Sequence, residues 1–119
     1  PRITPCIDFG HLYARSQGSE FAGAAAAGDY AALLDRLDRA LGDERARTFH
    51  VHFSRIAYTQ GGEKCHLTFA DTAYGPPHQP LMALFKARGL CPTVICESAG
   101  TQAEDAAALA AAWAAAPQA

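Results

Sequence analysis

The chain has 119 residues, half of them apolar, with 10 Lys and Arg against 12 Asp and Glu and a formal charge of -2. That length suffices for one buried core and excludes a two-domain architecture. No run of about 18 uninterrupted apolar residues exists, which excludes a membrane span, and the near-neutral balance excludes a strongly basic nucleic-acid-binding arm while leaving room for a local basic lip around a cleft.

Residue 1 is Pro, and the sequence runs directly into a strand-like stretch, Ile3 to Ile7, with no charged n-region and apolar h-region before it. No targeting segment is visible. Of a processed chain and the C-terminal portion of something longer, the second is the favoured expectation. The four cysteines, Cys6, Cys65, Cys91 and Cys96, match neither a metal knuckle nor the framework of a small secreted domain. A reducing cytoplasm is therefore the expected setting, with Cys6 and Cys96 buried inside strands as small hydrophobes.

Periodicity reads as a strand followed by a helix, three times over. The first strand is Ile3 to Asp8, and its helix runs from about Asp29 to Leu41 with Tyr30, Leu33, Leu34, Leu37 and Leu41 on one face. Asp29 is expected to cap that helix and Gly42 to end it. The second strand, Thr48 to Ser54, sets Phe49, Val51 and Phe53 on one face and His50, His52 and Ser54 on the other. A connection of roughly two dozen residues without obvious regular structure then leads to a short helix, about Pro80 to Arg88, stopped by Gly89. The third strand is Pro92 to Glu97, and Thr101 to Glu104 reads as a capping box opening the last helix through Trp113.

Alternating strands and helices imply a parallel sheet with helices outside. Three such units make a small open α/β sheet or a little under half of an eight-unit (β/α)8 barrel. In either case ligands gather at the C-terminal ends of the strands. Those ends carry Asp8, followed by His11, then His52, then Glu97. Each alone is an ordinary cap or packed side chain; together they point to a site. A fourth cluster, Glu63, Cys65 and His66, lies in the long connection and offers donors suited to zinc or a similar divalent ion. His50, deeper on the His52 face, is expected to be packed and to orient a ligand, and His78 to be a surface loop residue.

The runs Cys-Ile-Asp-Phe-Gly-His (6 to 11), Ala-Arg-Ser-Gln-Gly (14 to 18), His-Phe-Ser (52 to 54), Gly-Glu-Lys-Cys-His-Leu (62 to 67) and Ile-Cys-Glu-Ser (95 to 98) resemble the C-terminal part of the endonuclease IV family, apurinic endonucleases of the xylose-isomerase-like TIM-barrel superfamily. The resemblance runs from about Ile3 to Trp113 and covers less than half of a family member. It implies that residues 1–119 are a single partial TIM-barrel domain, the last three strand-helix units of a longer enzyme. It also implies a site of up to three zinc ions, with manganese the alternative, hydrolysing the phosphodiester 5′ to an abasic site in DNA. The implied metal ligands are Asp8, His11, His52, Glu63, His66 and Glu97, with Glu97 also the catalytic carboxylate. Well-known members place an Asp-x-His pair where this chain reads Glu63-Lys64-Cys65-His66, so either Cys65 or His66 supplies the second donor. Arg15 is a candidate phosphate contact. The remaining ligands fall on earlier strands absent here, so the chain alone is expected to bind metal weakly, to lack nuclease activity and to self-associate through exposed sheet edges. A sugar isomerase or epimerase of the same superfamily and a non-catalytic barrel remnant are the rival readings.

Overall fold

A computed structural model describes residues 3–117. Three parallel strands form the central sheet: β1 (Cys6–Asp8), β2 (His50–Phe53) and β5 (Thr93–Cys96), in the order β1-β2-β5. An antiparallel hairpin of β3 (Ile56–Thr59) and β4 (Gly62–His66) stands apart as a second sheet. The helices are α1 (Phe9–Arg15), α2 (Ala26–Leu41), α3 (Gln79–Ala87) and α4 (Gln102–Ala115). The mixed α/β architecture and the parallel pairing of three strands follow the alternation in the sequence. None of the described helices is long and apolar enough to cross a membrane.

The two faces of the parallel sheet differ. Phe49, Val51 and Phe53 are fully buried and join Phe9, Tyr30, Leu81 and Phe85 in one cluster under the helices. Each such side chain stabilises the fold by about 1.5–3 kcal/mol through burial. Phe9 anchors the aromatic part of this core, meeting Phe21 and Tyr30 edge-on at 5.9 and 5.4 Å. On the other face the rows Cys6–His50–Thr93 and Asp8–His52–Ile95 lie side by side, and they are not covered: Ile95 is 48% exposed.

Tyr30 and Leu34 of α2 are buried, with Leu33 and Leu37 packed against the cluster, as the helical spacing requires. Gly42 ends α2 in the left-handed region at φ 65 and its amide reaches the Asp38 carbonyl. Several local expectations are corrected. Asp29 is not the cap of α2, which begins at Ala26; its carboxylate accepts the Phe21 amide at 2.9 Å and ties down the preceding loop. The first strand is only Cys6–Asp8, because β2, its one neighbour, begins at His50, and Ile3 is left 87% exposed. Cys6, on the open face of this edge strand, is exposed, whereas Cys96 is buried and its thiol is pushed up to about 11 by burial.

The connection expected to lack regular structure holds the β3–β4 hairpin, and α1 was not anticipated at all. The capping box at Thr101 does not close: the Thr101 hydroxyl donates to Asp105 Oδ2 at 2.9 Å, and that carboxylate also accepts the Phe69 amide at 3.0 Å, so the buried Asp105 ties the start of α4 to the loop at Phe69. His78 is no surface residue. It is 7% exposed, precedes α3, and stacks on Phe69 with centroids 4.4 Å apart; burial, aided by the nearby Arg55, lowers its pKa.

Candidate metal centre

Asp8 ends β1 and caps α1, and its two oxygens divide the work. Oδ1 accepts the His11 amide at 2.9 Å, which is an ordinary N-cap bond. Oδ2 faces the site, 2.5 Å from His11 Nδ1 and 4.0 Å from His52 Nδ1. The cap and the site are therefore one device: closing the first turn of α1 swings His11 back over the strand end. Parallel pairing puts His52 directly beside Asp8. Glu97 follows β5, pinned by its amide to the Phe53 carbonyl at 2.9 Å, and its Oε1 stands 3.5 Å from His52 Nδ1. Asp8, His52 and Glu97 thus form one group of three donors.

His11, Glu63 and His66 form the second. Glu63 links the two imidazoles, with Oε2 2.6 Å from His11 Nε2 and Oε1 3.3 Å from His66 Nε2. Residues 63 and 66 are three apart, and in a regular strand they point to opposite faces. The register explains why they do not. Ala57 pairs with Cys65, but the next residue, Tyr58, pairs with Glu63, so Lys64 is an extra residue in β4. This bulge absorbs one position and restores Glu63 and His66 to the same side. Of the two candidates for the second loop donor, His66 is the one brought in; Cys65 is exposed and belongs to neither group.

All six donors expected from the sequence fall in these two groups, joined through the contact between Asp8 and His11. His50 is the exception to its own expectation: at the N-terminal end of β2 it is exposed, not packed, and it belongs to neither donor group. Ser54 is the polar residue the sequence reading passed over. It was visible only as the continuation of the His50–His52 face, and its hydroxyl contacts His66 Nδ1 at 2.7 Å.

The donor chemistry fits a divalent ion. Imidazole nitrogen and carboxylate oxygen suit zinc or manganese, and the donor atoms in each group lie within 4.8 Å of one another. Bonds of about 2.1 Å in a tetrahedral shell set ligand atoms about 3.4 Å apart, close to the 3.3 and 3.5 Å seen at Glu63–His66 and His52–Glu97. Glu97 Oε1 is buried with no hydrogen-bond partner among the described residues, a costly state for a carboxylate oxygen and one that a cation relieves. The His11 imidazole is held above its ordinary pKa, chiefly by the hydrogen bond to Asp8 and, against partial desolvation, with further help from Glu63. An open cleft of about 440 Å³ adjoins the second group, lined by His11, Arg15, Gln17, Gly61, Gly62 and Glu63. A larger cavity of about 630 Å³ lies between β1 and α2 and contains none of the six donors.

Sequence comparison adds one relative. Over 99 residues the chain is 35% identical to the uncharacterized protein MJ0133 of Methanocaldococcus jannaschii; the match takes in 81% of this chain and 33% of that protein. The chain thus spans about a third of the length of the curated relative it matches. No family model matches the sequence, and no solved structure matches it.

Proposed function

We propose that this sequence supplies the last strand-helix units of a (β/α)8 barrel that hydrolyses phosphodiesters with divalent metal ions, in the manner of endonuclease IV acting at abasic sites in DNA. The observation that carries the reading is the meeting of two three-donor groups at one strand-end rim, with Asp8 and His11 between them. A single structural cap or packed histidine does not account for six convergent donors. The barrel is supported by the open face of the sheet: parallel sheets are ordinarily covered on both sides, and here the face bearing His50, His52 and Ile95 is bare, with β1 and β5 as edges. The greater length of MJ0133, of which the match takes in 33%, is in keeping with further strands that cover it.

Divalent ions held at such a rim supply positive charge against the phosphodiester and acidify water to a hydrolytic nucleophile near neutral pH. The residues of this chain prepare for that. Asp8, His52 and Glu97 hold one position from three neighbouring strand ends, and backbone pairing fixes their spacing. His11, Glu63 and His66 hold the second from a helix and a hairpin. His11 would bind through Nε2, the nitrogen that faces Glu63, while Nδ1–H stays toward Asp8. Arg15, lining the cleft beside His11, is placed to meet a phosphate oxygen, and the cleft is where the nucleic acid backbone enters.

The test is made on the protein encoded by the full reading frame that contains this sequence. Purified with zinc, it is expected to nick a duplex oligonucleotide at a single abasic site and to leave the undamaged duplex whole. The Glu97→Gln and His52→Ala variants are each expected to lose at least a hundredfold in rate. Retention of wild-type nicking by either variant, or turnover only on a sugar, overturns the proposal.

A further inference from the structure

We propose that Ser54 is the positioning residue for His66, holding Nδ1 so that Nε2 is the only nitrogen offered to a cation. The inference rests on the metal-centre reading above and assigns to one buried hydroxyl the geometry of the second donor group. Ser54 is 1% exposed and lies two residues beyond His52, on the strand end from which the first group is also built. Its Oγ stands 2.7 Å from His66 Nδ1. A Cβ placed on Gly10 would come within 2.9 Å of the Ser54 carbonyl oxygen, so the backbone that carries this hydroxyl is wedged under α1 and has no freedom to drift. The hydroxyl itself is buried although the His66 ring is partly exposed, and loss of the contact leaves Nδ1 facing the buried end of β2 without its partner.

The consequence falls on the opposite side of the ring. With Nδ1 engaged, Nε2 points at Glu63 Oε1, 3.3 Å away, and the ring stands edge-on to His11 with centroids 5.7 Å apart. Ligating histidines generally give their second nitrogen to an oxygen that fixes ring orientation, and losing that oxygen weakens metal binding about 10- to 100-fold. A hydroxyl suits this position better than a carbonyl or carboxylate because it both donates and accepts. It donates to Nδ1 while Nε2 carries hydrogen toward Glu63, and it accepts from Nδ1–H once Nε2 is bare. The same contact holds the ring in both tautomers. Because Ser54 follows β2 and His66 ends β4, the bond also fastens the hairpin to the parallel sheet. One strand end therefore serves both groups: His52 ligates in the first, and Ser54 aims a ligand of the second.

The experiment is a titration of the protein encoded by the full reading frame that contains this sequence with Co²⁺ alone, followed by its visible absorption, together with long-range ¹⁵N–¹H spectra of the His66 ring in the Zn²⁺-loaded wild-type protein. Wild type is expected to bind one ion at each of the two donor groups, with Nδ1 of His66 protonated and the Nε2 resonance shifted by the metal. Ser54→Ala is expected to keep the Asp8–His52–Glu97 ion and to bind the other about tenfold or more weakly, and Ser54→Thr to recover most of the loss. A purely structural role would weaken both ions alike. Equal affinity of Ser54→Ala and wild type for both ions, a folded Ser54→Thr chain no better than Ser54→Ala, or a metal-shifted Nδ1 in wild type overturns the inference and leaves the metal centre standing. The spectrum of wild type decides the matter even where Ser54→Ala does not fold. Absence of any ion at His11, Glu63 and His66 in wild type overturns the metal centre and this inference with it.

Discussion

Gly10 is the point at which α1 touches the rest of the site, and replacing it with Ala sets two opposing effects against each other. Inside a helix the exchange ordinarily gains about 1 kcal/mol, because alanine is the better helix former. Here the added Cβ would lie 2.8 Å from Ile56 Cδ1 and 2.9 Å from the Ser54 carbonyl oxygen. The isoleucine methyl can turn aside, but the carbonyl belongs to buried backbone at the end of β2 and cannot. Relief requires α1 to retreat by about 0.5 Å, and overpacking of this kind costs about 1–3 kcal/mol. The loss equals or outweighs the gain, so Gly10→Ala is expected to be up to about 2 kcal/mol less stable than wild type in urea unfolding. His11 moves with the helix, and the contacts of 2.5 Å to Asp8 and 2.6 Å to Glu63 leave little slack. Cobalt affinity at the second group should therefore fall along with stability. A Gly10→Ala chain as stable as wild type and unchanged in cobalt binding would refute the claim that α1 is seated on Ser54 and Ile56.

The remaining predictions concern charge, register and hydrogen bonding. In the metal-free chain the raised pKa of His11 contributes stability that is fully present below about pH 6.5 and is lost as pH rises through the higher folded value; urea unfolding across pH 5 to 9 should show this fall in wild type and not in His11→Ala. Metal affinity runs the opposite way, weakening as acid protonates His11, which calorimetric titration with Zn²⁺ at several pH values will register as proton release on binding. Deleting Lys64 removes the bulge and leaves Glu63 and His66 two positions apart, still on one face, so a Co²⁺ ion is expected at each donor group in the deletion variant. Tyr30→Phe removes the bond of its hydroxyl to the Pro77 carbonyl, 2.7 Å long in a largely buried setting, and is expected to lower stability by about 1 kcal/mol with no effect on metal binding.

What the sequence made legible is what backbone periodicity determines. Alternation in Phe49 to Ser54 told which residues of β2 face the core and which face the rim, and the spacing of Tyr30, Leu34 and Leu37 gave the buried side of α2. Asp8, His52 and Glu97 followed from the rule that parallel strands share a C-terminal rim, and pairing does bring Asp8 and His52 side by side. The hairpin escaped because Ile56 to His66 carries charged and small residues on a two-stranded ribbon, of which only Ile56 and Ala57 are buried. Its bulge escaped because one extra residue in a ladder has no signature of its own until the partner strand is known. The seven-residue α1 was missed for a related reason: with Gly10 inside, it draws little on propensity and is held by Phe9 in the core and by its Asp8 cap. His50 and His78 were misjudged by their position along the chain. The burial of His78 comes from its stack on Phe69, which periodicity does not reveal.

The central claim is that two cations sit at neighbouring places on one rim, and anomalous scattering at the zinc edge tests it most directly. Crystals of the protein encoded by the full reading frame, grown with Zn²⁺, are expected to show one peak among Asp8, His52 and Glu97 and another among His11, Glu63 and His66. Peaks confined to the exposed cysteines or to His50, with both places empty, would contradict the account.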